Sequence, residues 1–378
     1  MSRTTIIAVT IIAVIAVAAI AIWGTQGSQS PDEESTIEFV DSGGNTIKLN
    51  GPVDSVVSIN TLPAIAMKIL DLQDKVDEIL FYKTENRYQY FHDAGFNNIS
   101  SDTPFYSTLT TADYFVENNM KVLLAPTTAS PLSATLENSC KEYGITIIKL
   151  DCFGETMIED MEKLVKMFGN PEKSVKALND YKALRNGVID DVLSKCSPSD
   201  DNLFLFEMMG ISAFYNENGE LSKAVEKIYG KNAVRFMDLT PTEKVTTTAK
   251  GDGPKESLTV IDGKTPITIL FLRASAGDDA DTIASKWNSN VVKDYNLSYL
   301  KDDSVFCIDS EIVTGTMDYI GYVAMAQACG VDTGYSLTEL ASQYEELYGF
   351  PKEIENNLWQ LQFDNDGKLI AVVDYDAA

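Results

Sequence analysis

Gly169-Asn-Pro-Glu-Lys-Ser-Val-Lys-Ala-Leu-Asn-Asp-Tyr-Lys-Ala-Leu-Arg-Asn-Gly-Val-Ile-Asp-Asp-Val-Leu-Ser-Lys195 decides the reading of this chain. Gly169 stops the helical run before it, Asn170 suits an N-cap, and Pro171 suits the first helical position. From there to Lys195 only Gly187 interrupts residues that favour helix. The spacing predicts one helix over 171–195, roughly 36 Å long at the standard rise per residue. Ser197-Pro-Ser-Asp-Asp201 ends it.

On the N-terminal side the same grammar repeats. Thr36 to Leu49 alternates around Asp41-Ser-Gly-Gly-Asn45, a hairpin signal. Val53 to Ile59, Val76 to Phe81, Lys121 to Ala125 and Ile145 to Leu150 read as strands. Helices are predicted at Ala64 to Leu72, Ser133 to Tyr143 and Glu155 to Phe168. Strands alternating with helices imply a mainly parallel sheet covered on both faces.

A second strand series follows the rod. It runs through strands Leu203 to Glu207, Ile267 to Leu272 and Val305 to Ile308, with helices Leu221 to Tyr229 and Tyr319 to Cys329. Glu243 to Gly263 reads as loop, and Leu358 to Tyr375 alternates around Asp364-Asn-Asp-Gly367 as a terminal hairpin. The fold class is therefore α/β: two Rossmann-like lobes joined by one long helix. The expected layout is an N-terminal lobe over 36–168, a linker over 169–197, a second lobe over 198–349 and an extension over 350–378.

The 378 residues suit two lobes of ordinary size rather than one core. A net charge of −26 repels phosphate backbones, which argues against nucleic acid as a partner. After Arg3, residues 6–23 form an apolar run long enough to cross a bilayer, followed over 24–35 by a Gly- and Ser-rich stalk. The reading is an uncleaved N-terminal transmembrane anchor, with the rest of the chain a monomer on the extracellular face. Cys140, Cys152, Cys196, Cys307 and Cys329 include no Cys-x-x-Cys pair, and an odd count leaves at least one thiol free. One long-range disulfide stays open outside the cell, with its partners undecided.

The opening hairpin from Ile37 to Leu49, then Val56-Val-Ser-Ile-Asn60, Gln73-Asp-Lys-Val76, Met120-Lys-Val-Leu-Leu-Ala125, Tyr143 to Asp151, the linker helix and Asp303-Ser-Val-Phe-Cys-Ile-Asp309 follow one another in a telling order. In that order and spacing the chain resembles the substrate-binding proteins of ABC importers for ferric siderophores, haem and cobalamin. The resemblance spans about 37–349 and implies a ligand site between the lobes. A ferric chelate or corrinoid would be the small-molecule ligand, with an ABC permease as partner. One departure stands out: the glutamate that docks on the permease in that family corresponds here to Ile65, and its second-lobe counterpart falls near Lys223. A membrane-anchored surface sensor or interaction module that no longer couples to a permease is therefore the alternative.

In doubly wound lobes, ligands sit beyond the carboxyl ends of the strands. That rule picks Asn60, Thr61, Tyr82, Arg87, Tyr88, Tyr106, Ser107 and Thr127 in the first lobe. In the second it picks Met208, Tyr215, Arg273, Trp287 and Thr314. The guanidinium of Arg273 can grip an anionic oxygen bidentately or pair with Asp278 or Asp279. Tyr88, Tyr90 and Phe91 offer either an aromatic rim for a flat ligand or the packing of a loop.

His92 is the chain's single histidine, too few imidazoles to strip a bare transition metal. A chelated metal needs only shape, aromatic surface and polar anchors. No nucleophile elbow, zinc-protease, P-loop or dinucleotide motif occurs, so the reading is a binding protein without a cofactor of its own rather than an enzyme.

Overall fold

The computed structural model describes residues 36–80, 85–127, 132–199, 204–208, 213–214, 220–230, 269–274, 279–291, 305–313, 315–351, 358–364 and 368–375. The apolar run 6–23, the stalk 24–35 and the loop 243–263 lie outside them. Among the described residues no helix is long and apolar enough to cross a membrane. The chain divides into two compact units, Met1–Gly187 with Tyr348–Pro351, and Val188–Leu347 with Lys352–Ala378.

The first unit opens with an antiparallel hairpin, β1 (Ile37–Val40) and β2 (Thr46–Leu49). The strands β3 (Val56–Ser58), β4 (Val76–Ile79), β5 (Val122–Ala125) and β6 (Thr146–Lys149) then form a parallel sheet in the order β4-β3-β5-β6. Between them run α1 (Thr61–Ile69), α2 (Glu85–Asp93), α3 (Asp113–Glu117) and α4 (Ala134–Glu142). All four residues of β5 are buried, as expected of a strand covered on both faces. Phe115, Leu123, Leu136 and Cys140 join one side of this core. The hairpin turn seals the edge of β6: Ser42 N donates to the Lys149 carbonyl at 2.8 Å, and Lys149 N to the buried Asp41 carboxylate at 2.9 Å. An edge strand is thereby denied to other chains.

Helix α5 (Met157–Met167) is followed by the rod, α6 (Glu172–Lys195). The junction differs from the sequence reading. Gly169 and Asn170 both adopt left-handed backbone, at φ 78° and 55°. Gly169 N bonds to the Lys166 carbonyl and Asn170 N to the Val165 carbonyl, each at 3.0 Å. Asn170 therefore closes the helix behind it in a Schellman motif instead of capping the one ahead. Tyr181, fully buried on α6, donates to the Met157 sulfur at 3.6 Å and meets the Tyr348 ring edge-on.

In the second unit, β7 (Phe204–Met208), β8 (Ala213–Phe214), β9 (Ile269–Ala274), β10 (Val305–Asp309), β11 (Leu358–Phe363) and β12 (Leu369–Asp374) form a sheet ordered β12-β11-β10-β9-β7-β8. β7, β9 and β10 are parallel, and the terminal hairpin adds β11 and β12 antiparallel. The helices are α7 (Glu220–Tyr229), α8 (Ala280–Lys286), α9 (Ser310–Val313), α10 (Asp318–Ala328) and α11 (Leu337–Tyr348). Nearly every residue of α10 is buried, the signature of a helix enclosed on all sides. It approaches α9 so closely that a Cβ on Gly321 would lie 2.3 Å from the Ile312 carbonyl oxygen.

Two helices stand where the sequence pattern predicts none. Residues 85–93 form α2, and Asp279 accepts from Thr282 N at 2.8 Å to cap α8. Hydrogen bonds from the Thr282 side chain, and then from its N–H, hold the Asp279 carboxyl below its ordinary range. Helix α11 has no counterpart in the sequence reading.

Candidate functional site

The carboxyl ends of the first unit's four strands carry a row of polar groups. After β3, Asn60 caps α1, its Oδ1 accepting from Leu62 N at 2.9 Å; Asn60 and Thr61 are both buried. After β4, the Leu80 carbonyl accepts from Tyr106 N at 3.0 Å, which sets half-buried Tyr106 and exposed Ser107 at that end. After β5, Thr127 donates to Asp151 twice, from its N–H at 2.7 Å and from its hydroxyl at 2.6 Å. Asp151 itself follows β6. Because the Thr127 hydroxyl proton is committed to Asp151, that oxygen keeps only acceptor capacity for any further partner.

Behind this row Asp160 is completely buried. It accepts from Asp151 N at 2.9 Å, Cys152 N at 3.1 Å, Ser42 Oγ at 2.5 Å and Lys163 Nζ at 3.1 Å. One carboxylate thus ties the hairpin turn, the end of β6 and helix α5 together. Burial acts to lower the Lys163 ammonium, yet the carboxylates of Glu159 and Asp160 outweigh it and raise the group. Cys152 sits buried at φ 51°, and burial, then the charges of Asp160 and Asp151, push its thiol up. It is a structural thiol and not a reactive one.

In the second unit Met208, Arg273 and Ile308 are register partners across β7, β9 and β10, and buried Asp309 pairs with Ala274 at the same end. Arg273 therefore stands where the strand-end rule put it, one residue from the end of β9. Arg87 and Met208 likewise lie on α2 and β7, while Tyr82, Tyr215 and Thr314 fall outside the described residues.

Trp287 belongs elsewhere. Its ring is 2% exposed and packs on Phe363 with centroids 5.1 Å apart. Antiparallel pairing of Phe306 with Gln360 puts Phe363 beyond the point where β10 begins, so Trp287 marks the opposite end of the sheet from the strand carboxyl ends. Most of the aromatic trio is also spent on packing: Phe91 is 2% exposed and edge-on to Phe96, and Tyr90 stacks on Phe350 at 5.8 Å. Tyr88, half-buried with its ring 5.8 Å from that of His92, remains a candidate.

Asp151 and Asp309 were missed as edge residues. The signal was present, since each is an acid at the carboxyl end of a largely apolar strand run. Among the described residues no group of three His, Cys, Asp or Glu side chains is placed to hold a metal ion.

No family model matches the sequence, and no curated protein matches it either. Solved structures do. The TroA-like periplasmic binding protein FepB from Veillonella parvula aligns with a TM-score of 0.56 at 16% identity, over 87% of this chain and 100% of its own. Helicobacter pylori CeuE with Ni(II) bound gives 0.54 at 10% identity, covering 84% and 97%. An ABC-type Fe3+-hydroxamate transport system from Saccharomonospora viridis gives 0.51 at 12%, covering 78% and 99%. This chain has the fold of the TroA-like periplasmic binding proteins.

Proposed function

We propose that this chain captures a chelated metal, as a ferric siderophore, haem or cobalamin-like corrinoid, outside the cell and delivers it to an ABC-type importer without altering it. The observation that carries the reading is a fold shared over 84% of the chain with a protein solved with Ni(II) bound and over 78% with one named for Fe3+-hydroxamate transport. The strand-end row of Asn60, Thr61, Tyr106 and Thr127 supplies polar anchors of the kind a preassembled chelate needs. The N-terminal apolar run would hold the protein at the membrane surface.

Thermal-shift screening of the full chain against ferric hydroxamates, haem and cobalamin tests this. A true ligand at a hundredfold over its Kd should stabilise the fold by about 2.7 kcal/mol. If every metal-loaded compound leaves the melting temperature unmoved, or metal-free chelators shift it equally, the reading is wrong.

A second reading is favoured by Ile65, which lies partly exposed on α1 where the resembling importers' proteins present a docking glutamate. On that reading the chain keeps ligand capture and serves as a surface sensor or interaction module. Co-purification with a permease encoded beside it separates the two.

A further inference from the structure

Two of the five cysteines sit at helix ends that the second unit pins to one loop. Cys196 directly follows α6, and Cys329 ends α10. From the α6 side, Lys195 Nζ donates to the Thr333 carbonyl at 2.6 Å and lies 5.4 Å from the centroid of the Tyr335 ring. From the α10 side, the Gln327 side-chain amide donates to Thr333 Oγ1 at 3.0 Å and to the Tyr335 carbonyl at 2.7 Å. Just past Cys329 the chain turns at left-handed Gly330, and Val331 N reaches back to the Ala326 carbonyl at 3.0 Å. The neighbours of both cysteines are thus fastened to residues 333–335. The two thiols, each partly exposed, lie within electrostatic reach of one another. Cys140, Cys152 and Cys307, by contrast, are buried in the cores of their units.

We propose that Cys196 and Cys329 are a disulfide pair, formed when the chain meets an oxidising compartment and stapling the end of the linker helix to the end of α10. The bond would close a loop of about 130 residues, long enough for chain-entropy stabilisation to be substantial. The chemistry balances as exchange with a small disulfide such as oxidised glutathione. One thiolate displaces a glutathione thiolate to give a mixed disulfide, and the second thiolate displaces the other. Two protons and two electrons leave the protein, and oxidised glutathione is reduced to two thiols. Burial raises both thiols, so exchange is slow in the folded state and proceeds fastest while the chain is folding. Oxidation in the cell rests on the extracellular location proposed above, whereas the pairing itself does not.

The test is to reduce and denature the full chain, refold it in a buffer of reduced and oxidised glutathione, count free thiols and map peptides without reduction. The proposal expects three free thiols of the five, a linked peptide joining Cys196 to Cys329, and a melting temperature roughly 5–10 °C above that of the reduced protein. Five free thiols, or a linked peptide through any other pair, overturns it. Because the mapping uses the unaltered sequence and no ligand, it stands apart from any failure of the metal-chelate reading.

Discussion

At the residue scale, most depends on Asp160. A carboxylate with no exposed surface is tolerated only when its oxygens are paired and hydrogen-bonded, and here four donors from three elements converge on it. Asp160→Ala would leave Lys163 without its buried partner and two backbone N–H groups without an acceptor. The expected loss is about 3–5 kcal/mol, read from the urea midpoint; a loss below about 1 kcal/mol would mean water substitutes for the carboxylate. Tyr335 provides a pH signature. Burial, reinforced by the nearby Asp191 carboxylate, pushes its phenol up to about 12 from an ordinary value near 10. A raised acid favours the neutral form in the fold, so its contribution is complete below about pH 10 and is lost as pH rises through about 12. Between those limits the unaltered protein should lose stability more steeply than Tyr335→Phe in urea titrations at stepped pH. Equal slopes would place the phenol in free solvent.

At the element scale, two helical glycines make opposite predictions. Gly187 lies inside α6 with nothing within 4 Å of where an added methyl group would sit, so Gly187→Ala should stabilise by about 0.5–1 kcal/mol through the unfolded state. Gly321 lies where α10 presses on α9, and Gly321→Ala should cost about 1–3 kcal/mol because a backbone carbonyl must move. Chemical denaturation measures both; the same sign for the pair would refute the packing described. The strands were legible from sequence because each is a short apolar, β-branched run between turn residues, and Val122–Ala125 and Val305–Asp309 fall where those runs do. The helix Glu85–Asp93 was not, since Glu-Asn-Arg-Tyr-Gln-Tyr-Phe-His-Asp lacks an apolar stripe and its helicity comes from Tyr90 and Phe91 docking on Phe350 and Phe96. Asn170 misled because asparagine serves equally as an N-cap and as a left-handed residue closing a helix.

At the scale of the whole molecule, the α/β plan with parallel sheets could be read from the alternation of strands and helices, and the likeness to solved periplasmic binding proteins bears out that fold. The candidate site was legible only in part. Asn60, Thr61, Tyr106, Thr127 and Arg273 stand at strand carboxyl ends because topology sends every parallel strand out of the sheet on the same side. Trp287 escaped that rule, as its position depends on how a distant hairpin pairs with β10, which no local pattern encodes. Hydrogen–deuterium exchange with and without the chelate that most raises the melting temperature tests the ligand's place most directly. Slowed exchange at residues 60–62, 106–107 and 126–127, with Trp287 and Phe363 unchanged, is the predicted result. Protection confined to Trp287, Phe363 and the terminal hairpin, or no protection with any metal chelate, would contradict it.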